Sequence, residues 1–260
     1  MRACLLFLLH ALLIAITAPA HACGGPEACA IGDRSYHVRA PAGWDGTTPL
    51  GVMLHFHGWG RQGPVPLGSP RTGAAADAAG LLFVAPNGLG RTWDFRHPGS
   101  RDTPFAEAVL ADVSARFPTD GRLVVSGYSW GALMAARFAC EGEAEVSALL
   151  LIAGAFPPGI PCEGRPARVA HVHGTTDTVL DFPYGPGGET THAVALWRDR
   201  LGCAAPARAF DWNAVSWLTH TRTEWDCTAG RVTMDVHPAS HLIPRGWVAR
   251  VLGEELEGAR

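Results

Sequence analysis

Ser129 stands at the centre of Gly127-Tyr128-Ser129-Trp130-Gly131, and a serine hydroxyl can attack a carbonyl only when a base takes its proton. The base is most often histidine, which in turn needs a carboxylate to orient it. A Gly-x-Ser-x-Gly segment does this work on a sharp strand-to-helix turn. The two glycines let strand and helix backbones nearly touch, and the helix start turns free N–H groups toward the reacting oxygen. The context here suits such a turn: Leu123-Val124-Val125 reads as a buried strand, and from Ala132 onward the residues have good helix propensity.

With this elbow the acid and then the histidine follow the serine along the chain. Asp177 follows the apolar run Arg168 to Val172, and His241 lies beyond the last apolar run in a loop bounded by Pro238 and Pro244. Asp181 and His237 are the competitors. Asp177 is preferred because it sits nearer a rigid strand end, and His241 because His237 simply ends its strand. For the oxyanion, the elbow supplies the N–H of Trp130, and the loop His57-Gly58-Trp59-Gly60 supplies that of Trp59. His57, Trp93 and Tyr128 are the candidate pocket walls, where aromatic surface suits an apolar or aromatic acyl group. A rival chemistry is metal-dependent hydrolysis. His55/His57 and His171/His173 are His-x-His pairs, and on a strand residues i and i+2 share a face, so each pair could chelate. Each pair also precedes a glycine at a strand end, as a buried strand turning toward a functional face would, and the expected metal is none.

The elements that must hold these residues alternate. Strands are expected at Arg34 to Ala40 (an edge), Leu50 to Phe56, Leu81 to Ala85, Leu123 to Val125, Ala148 to Ala153, Arg168 to Val172 and Arg231 to Val236. Helices are expected at Thr72 to Ala79, Pro104 to Phe117, after Ala132, at Thr190 to Leu201 and from about Arg245. This is an α/β pattern, a mostly parallel sheet with helices on both faces, whose functional residues gather at the carboxyl ends of the strands.

All 21 basic residues of the 260-residue chain are arginine, which excludes phosphate-loop, Schiff-base and Ser-Lys chemistry. A formal charge of −3 with scattered arginines gives no stripe for nucleic acid. Residues 1–22 combine Met1-Arg2, an apolar run and Ala20-His21-Ala22, the pattern of a secretory signal cut before Cys23. Residues 23–260 then form one catalytic domain, secreted or periplasmic and with no membrane association after signal removal. Six cysteines remain, an even number that suits three disulfides in an oxidising compartment. Of the 15 possible connectivities, pairing sequence neighbours is the expectation: Cys23–Cys29, Cys140–Cys162 and Cys203–Cys227. A lipidated Cys23 is the rival, against which stand Ala20, His21 and the odd number of cysteines it would leave.

Taken with Cys23-Gly24 and Cys29 ahead of Gly32-Asp33-Arg34-Ser35-Tyr36, then His57-Gly58, Trp93-Asp94, Asp102 to Val109, the serine motif, His173-Gly174 with Asp177, Cys203 with Cys227, and Ser240-His241 with Pro244, the chain resembles the α/β-hydrolase esterases of the polyhydroxybutyrate depolymerase and feruloyl or acetylxylan esterase group. The resemblance implies the α/β-hydrolase fold, a Ser129, Asp177, His241 triad and hydrolysis of a carboxylic ester without a cofactor. The substrate would be a hydroxyalkanoate oligomer or an aryl or acyl ester, small or oligomeric, taken by a monomer. Two features depart from the group. Trp130 stands where small or polar residues are usual and narrows the pocket, and no polymer-binding domain or linker is visible. A peptidase on the same fold and a non-catalytic secreted binder are the other readings.

Overall fold

The computed structural model describes residues 23–257, and the expected signal segment 1–22 lies outside them. The strands are β1 (Cys29–Ile31), β2 (Arg34–Arg39), β3 (Leu50–Phe56), β4 (Leu82–Pro86), β5 (Thr119–Tyr128), β6 (Ala148–Ile152), β7 (Arg168–Gly174), β8 (Arg208–Val215), β9 (Leu218–Cys227) and β10 (Gly230–His237). The helices are α1 (Pro64–Leu67), α2 (Gly73–Ala78), α3 (Asp102–Arg116), α4 (Trp130–Glu141), α5 (Ala195–Leu201) and α6 (Trp247–Glu257).

All ten strands join one sheet in the order β1-β2-β4-β3-β5-β6-β7-β10-β9-β8. Its middle, from β4 to β10, is parallel, and antiparallel pairs close both sides. The central strands β3, β4 and β6 are buried at every position, as required of strands covered on both faces. One apolar layer joins the sheet to α3, α4 and α5 through Val109, Val113, Met134, Phe138 and Trp197. The other joins it to α1, α2 and α6 through Leu67, Ala76, Trp247 and Val251.

The structure departs from the expectations in three places. β2 is not an edge strand: β1 pairs along it, and the edge passes to that short strand. The hairpin β8–β9 had no counterpart in the sequence reading, because its inward face carries His220 and Arg222 among the apolar residues. The expected helix from Thr190 is a 3-10 turn at His192–Val194 running into α5.

The three neighbour disulfides are those formed, with Cα separations of 5.0 Å for Cys23–Cys29, 4.4 Å for Cys140–Cys162 and 3.9 Å for Cys203–Cys227. The second ties the far end of α4 to the loop after β6, and the third ties the segment after α5 to the end of β9.

Candidate active site

β5 runs into α4 with one residue between them. That residue is Ser129, held at φ 58° and ψ −124°, a positive-φ conformation that costs a non-glycine residue about 1–3 kcal/mol. The crowding around it explains the glycines. A Cβ on Gly127 would land on the Gly131 carbonyl, and one on Gly131 would land on that of Phe56. Strand, helix and the neighbouring β3 therefore meet backbone to backbone, and the turn leaves its serine at the carboxyl end of the sheet.

Asp177 lies in the loop after β7, three residues past Gly174, and His241 follows β10, the neighbour of β7. The structure brings these two together: His241 Nδ1–H donates to Asp177 Oδ2 at 2.6 Å. Asp177 Oδ1 accepts the N–H groups of Val179 at 2.9 Å and Leu180 at 3.2 Å. Burial would raise its carboxyl, but the His241 bond and these N–H groups outweigh it and hold the group below the usual carboxylate range. On the elbow side, the Tyr128 ring lies 5.0 Å from the His241 ring, and its hydroxyl donates to the His241 carbonyl at 3.2 Å. Burial, aided by the Asp177 charge, pushes the Tyr128 phenol up to about 12. Ser129 Oγ makes no hydrogen bond to another described residue.

The competitors are placed elsewhere. Asp181 borders a cavity of about 150 Å³ with Leu133, Gly154, His173 and Leu180. His237 is buried, its Nδ1 accepting the Ala239 N–H at 3.3 Å, with no bond to Asp177.

Trp130 and Trp59 also come together, their rings 6.0 Å apart, and neither backbone N–H donates to a described residue. The Trp130 ring is held against Phe95 at 5.5 Å and under the Arg96 guanidinium at 5.2 Å, whereas Trp59 is 66% exposed. Of the expected pocket walls, Tyr128 and His57 border a second cavity, of about 130 Å³, with Gly58, Arg61 and Ile243. Trp93 is no open wall: it is 4% exposed and donates from its indole to the His57 carbonyl at 2.7 Å. His57 is likewise a brace. Its Nδ1–H donates to Gly58 O and its Nε2 accepts the Gly88 N–H, which stitches the loops after β3 and β4 together. Burial pushes its ring down to about 4.

The His-x-His pairs are engaged by protein groups. His55 Nδ1 meets Ser126 Oγ at 3.0 Å, His171 meets His173 at 3.3 Å, and His173 reaches Asp177. Among the described residues no group of three or more His, Cys, Asp or Glu is arranged to hold a metal ion.

No family model matches the chain. It is 31% identical over 163 residues to feruloyl esterase C of Emericella nidulans, a match covering 60% of this chain and 59% of that protein. It is 29% identical over 204 residues to feruloyl esterase D of Neurospora crassa, covering 70% of each. The chain thus spans less than two thirds of the first of these relatives. The acetyl xylan esterase from Aspergillus awamori superposes with a TM-score of 0.61 at 17% identity, over 82% of this chain and 90% of that one. This is an α/β-hydrolase fold. In the α/β-hydrolase frame, β5 with α4 is the elbow, and the ends of β3, β7 and β10 carry the loops that surround it. The chain is related in sequence to the feruloyl esterases, as its motifs imply. Sequence reasoning missed the Val179 and Leu180 N–H groups that grip Asp177, the Tyr128 hydroxyl on the His241 loop, and the bond from His173. The first three are loop-geometry contacts with no residue-type signal; the last was visible only as a His-x-His pair.

Proposed function

We propose that the protein is a serine esterase that hydrolyses carboxylic esters through an acyl-enzyme. The observation that carries the reading is the 2.6 Å bond from His241 Nδ1–H to Asp177, which leaves Nε2 as the basic nitrogen. His241 takes the Ser129 proton as the oxygen attacks the ester carbonyl, and Asp177 stabilises the imidazolium. The N–H groups of Trp59 and Trp130 receive the oxyanion, each contributing about 3–4 kcal/mol to the barrier reduction. His241 then protonates the departing alcohol, and water, deprotonated by the same imidazole, releases the acid.

The names of the relatives and the tryptophans at the elbow favour an aryl or short acyl ester, small or oligomeric. Three disulfides and the apolar leader favour a secreted or periplasmic protein. No described helix is long and apolar enough to cross a membrane.

The test is hydrolysis of p-nitrophenyl acetate, butyrate and octanoate and of methyl ferulate by the wild type, by Ser129→Ala and by an EDTA-treated sample. Turnover that survives EDTA and falls at least about a thousandfold in Ser129→Ala supports the reading. Activity that survives Ser129→Ala overturns it. Loss with EDTA alone returns the paired histidines to a metal role.

A further inference from the structure

Oδ2 of Asp177 accepts a second imidazole besides His241. His173, on β7 and 1% exposed, lies with Nε2 at 3.0 Å from that oxygen and 3.1 Å from the Leu180 carbonyl. Both neighbours only accept, so Nε2 carries the proton and Nδ1 of the neutral ring is an acceptor. His171 Nε2 stands 3.3 Å from that Nδ1, so it too carries a proton, and the two rings stack at 5.5 Å. His171 Nδ1 is left buried without a partner among the described residues. Each tautomer is thus dictated by the next group in line: His171 to His173, His173 to Asp177, Asp177 to His241.

We propose that His173 is a positioning residue for the acid of the catalytic triad, holding Asp177 Oδ2 against His241 and drawing off part of its charge, with His171 locking its tautomer. This rests on the reading of Ser129, His241 and Asp177 as a triad. It also gives a hydrogen-bonding role to the His171/His173 pair. Burial keeps both rings neutral: it drives His171 well below its ordinary value and lowers His173 despite the bonds to Leu180 and Asp177. A neutral donor can grip the carboxylate without neutralising it, which an arginine or lysine there would do.

The consequence is directional. Without the His173 donor, the carboxylate keeps more charge for the imidazolium of His241. The acid limb of the kcat/KM profile then moves to higher pH by about half to one unit, the worth of one hydrogen bond. Looser holding of Asp177 lowers kcat roughly tenfold or more with KM little changed. The other groups facing this assembly, Tyr128 from β5, His237 from β10 and Asp181 in the same loop, are identical in every variant.

The experiment compares pH profiles of kcat and KM for p-nitrophenyl butyrate in the wild type, His173→Leu and His173→Gln, with Ser129→Ala alongside. Glutamine can present a donor close to the Nε2 position. The expected result is an upward shift of the acid limb and a fall in kcat for leucine, both largely restored by glutamine. A leucine variant with the wild-type profile, or a glutamine variant no better than leucine, overturns the proposal. Activity in Ser129→Ala would instead remove the triad reading itself. Should the leucine variant fail to fold, histidine ring 15N spectra of the wild type decide: Nε2–H at His171 and His173 supports the tether, and Nδ1–H at His173 overturns it.

Discussion

Gly174, the last residue of β7, lies directly beneath the segment that leads to His241. A Cβ there would land on the Ala239 carbonyl and come within 2.5 Å of that of Ser240. The candidate site therefore depends on a bare backbone at this point as much as on the side chains proposed to react. Gly174→Ala is expected to push the 239–241 segment outward and lower kcat/KM about tenfold or more, since small misplacements of a base are costly. Steady-state kinetics on the folded variant checks this, and unchanged kcat/KM would show that the loop gives way freely. The same contrast bears on what was legible in the sequence at this scale. Ser129, Asp177 and His241 could be put forward as a triad because nucleophilic chemistry tolerates few residue types in one chain order, and the structure joins two of them, His241 and Asp177. His173 could not be separated from a metal ligand, because a His-x-His pair on a strand looks alike in both roles. The turn after Gly174 brings the Asp177 carboxylate back onto the ring, and that contact is what supports the proposed positioning role.

At the scale of elements, β3, β4, β6, β7 and the middle of β5 were legible as short apolar runs because strands buried on both faces carry few polar residues, the His-x-His histidines being the main exceptions. The β8–β9 hairpin was hidden for the opposite reason. Its inward positions alternate, but they include Arg222, which is fully buried against Asp235 at 2.8 Å and reaches Glu254 at 2.7 Å. Asp235 also accepts the indole N–H groups of Trp212 and Trp247, each at 2.7 Å. One carboxylate thus joins β8, β9, β10 and α6, and a charged residue in that strand obscured the pattern that marks it. Breaking a buried pair from one side leaves an uncompensated charge, so Asp235→Ala is expected to destabilise the protein by about 3–5 kcal/mol. The double variant Asp235→Ala/Arg222→Met should recover part of the loss. Urea unfolding midpoints test both; a single-variant effect below about 1 kcal/mol would mean that the hairpin is held by its apolar contacts instead.

Over the whole molecule, histidines are concentrated inside. His55, His57, His171, His173, His220 and His237 are all buried, and burial is the first cause of the downward shift in each. His55 falls to about 3, with His57 adding to the effect, and His57 and His237 fall to about 4. A folded value below the unfolded value of about 6.5 means that the unfolded chain binds more protons as pH falls. The stability these rings contribute is therefore fully present above about pH 6.5 and is lost on acidification toward pH 4. Each neutral ring contributes a slope of up to about 1.4 kcal/mol per pH unit in that window, and three together approach 4 kcal/mol per unit. The upper part of this window lies above the range in which carboxylates ordinarily titrate, so histidine burial governs the first part of the acid limb. The thermal midpoint should be nearly flat from pH 8 to 7 and fall steeply between pH 6.5 and 5, with the disulfides kept oxidised throughout. His237→Asn, which removes a ring whose Nε2 has no partner among the described residues, should flatten that fall by about one proton. A midpoint that stays level down to pH 5 would mean that the rings take up protons without unfolding, and that the packing around them yields to charge.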